Sequence, residues 1–542
     1  MVMDMQLRID QKSSFPWFVN DSIKVRGYFF DDEGDFYQSE RLLDKFPVGL
    51  TLSELTSLVS SLNGCFSVYY ESPEFIFASV DRLRSFPIFY TAESDSVILS
   101  DNILDLSQYN EIDECSKEEF LRVGFTIGNA TLFKDVKQLN AGQFLYFEKP
   151  SKQLSIETYY QHIHKGDCKK DRSILLNELD SVVTNWTKRL IASADGRTIF
   201  AGLSGGYDSR SIVCALKREG YENVVCFSYG NENSYEHEVA KQVADKLGYP
   251  IHIVKYNDRT WKEAIESEEF QMYCMRGLGD SSNPCIQEFP AIYQLHNSGA
   301  IPKNSIIVPG YAADLLGGSY VPKDLNSREV HNVIKRGATD FIFNNIFGHY
   351  QAPLSAEAER AILTRIDASL IEKRSKDIYS YISSFELWFT ENHCAKFINY
   401  TAKTYETFGY EWRLPLWDNE FIDWWYTIPA ELRANSTLYH EYLFKYLFGP
   451  LSVGFKKPEP VTPPLIKRLI PRQTKLLLIN AAKRLGLDIG SKKKDEGSFH
   501  IASQYIMKCT TSNWKKNDFQ GINGVVGAYC LDKLNALNNE QK

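Results

Sequence analysis

A chain of 542 residues is long enough for two or three domains. Its 43% hydrophobic and 24% charged content is that of an ordinary globular protein, which excludes wholesale disorder. The net charge of −8 argues against a chain built to coat nucleic acid. No apolar run approaches the roughly 18 residues of a membrane span. The amino terminus, MVMDMQLRIDQ, carries an acid early and lacks a long apolar stretch, so it does not read as a secretory signal. Ten cysteines with no C-x-x-C pair read as the reduced thiols of a cytoplasmic protein, not as a zinc site or disulfide framework. Aromatic residues reach 13%, so a single ring needs a specific reason before it is assigned to a site.

Up to about residue 165 the sequence is rich in strands and turns. Gly64 to Tyr70 and Phe75 to Val80 read as a hairpin, and Phe86 to Tyr90 with Val97 to Ser100 repeats the pattern. The polar stretch His162 to Arg172 reads as a linker, and His162 and His164 lack further ligands at metal spacing. A helix is expected from about Ser173 to Ile191. From Arg197 strand and helix alternate: Thr198–Leu203, then a helix from Ser211 to Arg218, then Val224–Tyr229. The helix Glu236–Leu247 and the strand Ile251–Val254 follow, and Ser305–Val308 is a later strand. That order predicts a parallel sheet with crossover helices. Beyond about Phe341 the sequence reads mostly helical.

Leu203-Ser-Gly-Gly-Tyr-Asp-Ser-Arg210 falls where a parallel strand ends and a helix begins. Gly205 and Gly206 let the backbone turn sharply, so that several N–H groups converge at a helix N-terminus, a geometry that binds phosphate. Ser204 and Ser209 add hydroxyls, and Asp208 is placed to hold Mg²⁺ against the phosphates. The spacing and lysine of a Walker A loop are missing.

This S-G-G-x-D-S loop resembles that of the N-type ATP pyrophosphatases, and within them the asparagine synthetase family. The resemblance implies a loop that grips pyrophosphate while a carboxylate becomes an acyl-adenylate, which an amine then converts to an amide. Pro309-Gly-Tyr-Ala-Ala-Asp-Leu-Leu-Gly-Gly-Ser-Tyr320 resembles the family's G-E-G-x-D-E-x-x-G-G segment, with its glycine pair one residue early. Asp314 falls on the second Mg²⁺ ligand, while Leu203, Tyr229 and Gly310 match positions that contact the nucleotide. Gly409 to Asp418 resembles G-v-E-x-R-x-P-F-L-D, with Glu411, Arg413 and Asp418 expected to pair and shape the site wall. Phe455-Lys-Lys-Pro458 matches more weakly; Lys456 or Lys457 would neutralise charge on the adenylate and pyrophosphate.

Two departures matter. Glutamine-dependent members begin with a cysteine after Met removal, whereas here the first cysteine is Cys65, inside a predicted strand. Leu62 to Val68 and Asp81 to Tyr90 still resemble the glutaminase domain, but its N-G-E-I-Y-N stretch is absent. Tyr311 stands where those members have Glu and where β-lactam synthetases have a tyrosine that relays the proton of the attacking amine. Its glutamate partner aligns with Asn399, and Leu315 replaces another acidic position. A phenol with a pKa of about 10 needs such a partner to act near neutrality.

The resemblance therefore implies an Ntn-hydrolase-like αββα domain over residues 1–165, degenerate as a glutaminase. It is followed over 170–542 by a parallel-sheet ATP pyrophosphatase domain of the adenine-nucleotide α-hydrolase type, with a helical C-terminal part. It implies ATP and Mg²⁺, a small-molecule carboxylate with ammonia or an amine, no nucleic acid or membrane partner, and it allows a homodimer. An intramolecular amide former, like a β-lactam synthetase or lasso-peptide cyclase, is one alternative; a nucleotide-binding scaffold that lost catalysis is another. Sulfur transfer to tRNA is disfavoured by the missing C-x-x-C and positive charge. The basic stretch from Lys467 to Lys494 reads as an amphipathic helix with a solvated face.

Overall fold

Strands whose side chains are buried on both faces build the first part of the chain, which is why their sequences read as continuous apolar runs and not as alternations. The computed structural model describes residues 13–93, 96–109, 111–311, 313–321, 323–326, 334, 337–347, 355–371, 377–455, 497–510 and 521–540. Lys456, Lys457 and the basic stretch Lys467 to Lys494 lie outside the described residues.

The first sheet joins β1 (Phe18–Val19), β2 (Ile23–Phe30), β3 (Phe36–Gln38), β4 (Asn63–Glu71) and β5 (Phe75–Val80). Beyond a second, smaller sheet of β6 (Phe89–Glu93), β7 (Ser96–Ser100) and β8 (Lys137–Gln138), it is completed by β9 (Gln143–Glu148) and β10 (Gln153–Thr158). The large sheet runs β1-β2-β4-β5-β9-β10 with β3 beside β2, antiparallel throughout. Both expected hairpins are present, with Tyr70 opposite Phe77 and Tyr90 opposite Leu99. Phe66, Val68 and Tyr70 face helix α1 (Leu52–Ser61), which enters through a Thr51–Glu54 capping box. Tyr69, Ala78 and Leu145 on the other face pack against Ile88, just before β6, and Leu99 of the small sheet. The result is helix, sheet and sheet in layers.

Helix α2 (Glu114–Val123) and the segment 159–171 lead to α3 (Arg172–Ala194). The expected linker has no regular structure, yet it is fixed: the amides of Lys165 and Gly166 donate to Tyr426 O, and that of Cys168 to Thr427 O. His162 and His164 are buried, with Nε2 on the carbonyls of Arg82 and Ile428 respectively.

The third sheet is wholly parallel. Its strands are β11 (Ile199–Gly202), β12 (Val224–Asn231), β13 (Ile251–Tyr256), β14 (Ile306–Val308) and β15 (Glu411–Trp412), in the order β13-β12-β11-β14-β15. Crossovers are α4 (Tyr207–Arg218) and α5 (Tyr235–Leu247), followed by α6 (Asp258–Ile265), α7 (Glu268–Gly279) and α8 (Phe289–Asn297). Sequence placed every strand but β15, whose two residues were read only as part of a motif. The described remainder is helical, including a π-helix at Phe389–Ile398. Among the described residues no helix is long and apolar enough to cross a membrane.

Candidate functional site

Strand order reverses at β11, with β12 and β13 on one side and β14 on the other. In open parallel sheets such a switch point leaves a crevice beyond the carboxyl ends of the strands. The loop Leu203–Gly206 and the turn Pro309–Tyr311 meet in that crevice. A cleft of about 610 Å³ opens there, lined among others by Leu203, Ser204, Ser209, Tyr229, Gly310, Tyr311 and Glu288.

The loop is held from within. Ser204 N donates to Ser209 Oγ at 3.0 Å, and Gly206 N donates to Ser204 Oγ at 3.0 Å. Gly206 is the N-cap of α4 and has no side chain to cap it, so the positive end of that helix faces the cleft. Gly310 must be glycine, because a Cβ there would lie 2.4 Å from both Cα and Cβ of Ser209. That close approach brings the two strand ends together. Arg210, fully buried, donates to Gly205 O at 3.2 Å, Val453 O at 3.0 Å and Phe455 O at 2.7 Å. Phe455 is the residue before Lys456, so the chain leaves the described region beside the loop.

Asp208 and Asp314 are neighbours: Asp208 Oδ2 accepts the amide of Asp314 at 2.9 Å, and Tyr439 Oη donates to Asp208 Oδ1 at 3.4 Å. Among the described residues no cluster of three or more His, Cys, Asp or Glu side chains could enclose a metal. Two neighbouring carboxylates suit Mg²⁺, which keeps waters and takes phosphate oxygens for its remaining positions. Leu315 is core, not site, and its carbonyl accepts from Arg433, whose guanidinium pairs with buried Glu386 at 2.7 Å.

Sequence reading missed Glu288. This buried carboxylate sits just before α8 and lines the cleft. Oε1 accepts Tyr229 Oη at 3.0 Å and Oε2 accepts Tyr405 Oη. Burial raises its carboxyl above the usual range, against the pull of both hydroxyls. Burial, and next the charge of Glu288, raises the Tyr311 phenol well above its ordinary value, and its hydroxyl has no partner among the described residues. The charge beside Tyr311 is therefore Glu288, not a group at position 399. Asn399 lines a separate small cavity with Arg84, Asp280 and Lys403.

The Gly409 to Asp418 motif also has a different role. Arg413 does bond Glu411 at 3.1 Å, but it also reaches Gln38, and Asp418 pairs with Arg189 at 2.7 Å and accepts from Asn63. These groups fasten the first sheet and α3 to the later helices and do not line the cleft. Burial, then the charge of Asp81, pushes the Cys65 thiol up to about 12, which unsuits it as a nucleophile.

Comparison with known proteins bears on the loop segment. Residues 198–281 match the family model described as queuosine biosynthesis protein QueC. No curated protein is significantly similar to the chain in sequence. Among solved structures the chain is similar to the allosteric regulatory enzyme of purine biosynthesis, with 9% identity over 44% of this chain and a TM-score of 0.18. The match spans 62% of that structure's length. It is also similar to glutamine phosphoribosylpyrophosphate amidotransferase from B. subtilis complexed with ADP and GMP, with 10% identity over 68% of this chain and 78% of that one, at a TM-score of 0.19. Likeness at that level carries no argument. The match over 198–281, which includes the loop Leu203–Gly206, makes this part of the chain similar to the PP-loop ATP pyrophosphatases.

Proposed function

We propose that the chain is an ATP- and Mg²⁺-dependent, AMP-forming amide ligase of the asparagine synthetase type, acting on a small carboxylate and on ammonia or an amine. The carboxylate oxygen attacks the α-phosphorus of ATP and pyrophosphate leaves. The nitrogen then attacks the acyl carbon, and AMP leaves. The observation that carries this reading is the contact between Asp208, in the Ser204–Ser209 loop, and Asp314, next to a cleft that Ser204, Ser209 and Tyr311 line.

In this reading Ser204, Gly205, Gly206 and Ser209 hold the pyrophosphate, with Leu203, Tyr229 and Gly310 against the nucleoside. Asp208 and Asp314 would hold Mg²⁺, which supplies charge neutralisation on the phosphates. Preorganised donors and charge at the phosphates are the largest expected catalytic contribution. Residues 1–165 act as a degenerate glutaminase-like domain and 170–542 as the synthetase, and Lys456 or Lys457 adds positive charge.

ATP–pyrophosphate exchange against a broad panel of carboxylates tests the reading. Carboxylate-dependent exchange in the wild type, lost in Asp208→Ala, is expected. No exchange with any carboxylate would leave a nucleotide-binding scaffold in its place.

A further inference from the structure

Where the first sheet meets α3 and the later helices, the chain encloses a cavity of about 40 Å³. Tyr28 of β2, Asn63 of β4, Trp186 and Arg189 of α3, and residues of the segment 413–418 line it. Every lining residue, and the chain on either side of each, belongs to the described part. Three of these side chains carry a buried N–H with no acceptor: Nε1 of Trp186, Nε1 of Trp417 and Nε of Arg413. Their residues are 2%, 4% and 2% exposed. An indole N–H and a guanidinium Nε–H can only donate, and a buried donor without a partner bears its full desolvation cost.

The acceptors of the same wall are taken. Asp418 accepts two N–H groups of Arg189, the side-chain amide of Asn63 and the main-chain amides of Glu420 and Phe421. Asn63 Oδ1 accepts the amide of Asn419, and Tyr28 Oη that of Leu414. The terminal nitrogens of Arg413 serve Gln38, Glu411 and Trp412 O, which leaves Nε. Arg189 and Arg413 are thus in the lining with one carboxylate, while Glu411 and Glu420, which pair with them, lie outside it. A water would bring two O–H donors of its own into this wall, whereas a monatomic anion only accepts. The volume exceeds the roughly 10–15 Å³ that one water needs and is far below the several hundred Å³ of an organic ligand site.

We propose that this cavity binds a small monovalent inorganic anion of the halide class, chloride foremost, through the N–H groups of Trp186, Trp417 and Arg413. The anion ties α3 to the segment 413–418 beneath β2, so it strengthens the joint between the first sheet and the later helices. It takes no part in the cleft of the parallel sheet, and the proposal stands apart from the ligase reading.

The test is urea unfolding of the full chain at fixed pH and ionic strength, with sodium chloride replaced stepwise by sodium gluconate, whose anion is too large for the cavity. The wild-type midpoint should rise with the logarithm of chloride concentration once the site fills, as binding to the folded state alone requires. Trp417→Phe and Trp186→Phe each keep an aromatic ring and lose one N–H. Each should need about tenfold more chloride for the same rise, the scale of a lost hydrogen bond to a charged group. Trp424→Phe, whose N–H donates to Glu178 outside the cavity lining, should respond as the wild type does. A wild-type midpoint indifferent to chloride would overturn the proposal and leave the cavity to water. An unchanged chloride requirement in both cavity variants would overturn it too. Where a variant does not fold, the wild-type contrast of chloride with gluconate decides.

Discussion

The main-chain amide of Asp314 donates to Asp208 Oδ2 at 2.9 Å, so one carboxylate of the pair fastens the turn after β14 to the helix after β11. The contact spans more than a hundred residues of sequence, yet it places two acids side by side at a helix N-terminus. A helix N-terminus attracts an anion, while two adjacent carboxylates repel each other and any phosphate until a cation binds between them. ATP with its metal meets that condition.

Replacing either acid should therefore remove exchange activity without unfolding the protein. Asp208→Asn and Asp314→Asn should each lower ATP–pyrophosphate exchange at least about 100-fold. Because neither side chain is buried, their urea midpoints should stay near that of the wild type. A large drop in midpoint for both would mean that the pair is structural.

Gly310→Ala should act on stability and activity together. Its new methyl would meet Ser209 at 2.4 Å, so β14 and the loop must part, at a cost of about 2–3 kcal/mol. Gly220→Ala is the control. Gly220 has a φ of +76° with nothing within 4 Å, so alanine there should cost about 1 kcal/mol and leave exchange intact. Chemical unfolding and exchange assays on both variants separate the effects.

Acid should weaken the fold well above the carboxylate range. Burial depresses His162 and His393 to about 4. Above about 6.5 each is neutral in both folded and unfolded chains and contributes nothing to pH dependence. Between about 6.5 and 4 the unfolded chain takes up protons that the folded one does not, so stability falls with falling pH, by about 3 kcal/mol per histidine. Urea unfolding at pH 7.5, 6 and 5 reads this. His162→Gln, which keeps a donor for Arg82 O, should reduce the slope by one proton's worth.

Glu406 should carry a second, more acidic dependence. Burial alone would raise its carboxyl, but Arg276 and Lys403, the latter at 2.7 Å, outweigh it and hold the group at about 2. Its stabilisation is present above about 4.3 and is lost as pH falls from there toward 2. Glu406→Gln leaves Lys403 buried without its acid, while Arg276 keeps Asp280, and should cost about 3 kcal/mol at neutral pH, measured by chemical denaturation.

Much of the fold was legible because hydrophobic period and turn chemistry are local. The alternation from Ile199 to Tyr256 gave the parallel sheet, and the glycines and serines of 204–209 gave the loop at its edge. Glu288 was not legible. Its place depends on Tyr229 on a strand 59 residues earlier and Tyr405 on a helix 117 residues later, and no spacing in the sequence encodes that meeting. Glu411, Arg413 and Asp418 went astray for the opposite reason. Their charged pattern was visible, but the partners Gln38, Asn63 and Arg189 that make it a fastening between sheets were remote. His162 and His164 sat in a polar run that packing nevertheless buries.

Arg210 gives the loop a place in the order of synthesis. The sheet strands β11 to β14 can all pair once residue 308 has emerged, but the guanidinium that steadies Gly205 also needs the carbonyls of Val453 and Phe455. A nascent chain stopped before Val453 would carry the parallel sheet with that buried cation short of two of its three acceptors. The loop at 203–206 thus receives its last support only after most of the protein has left the ribosome.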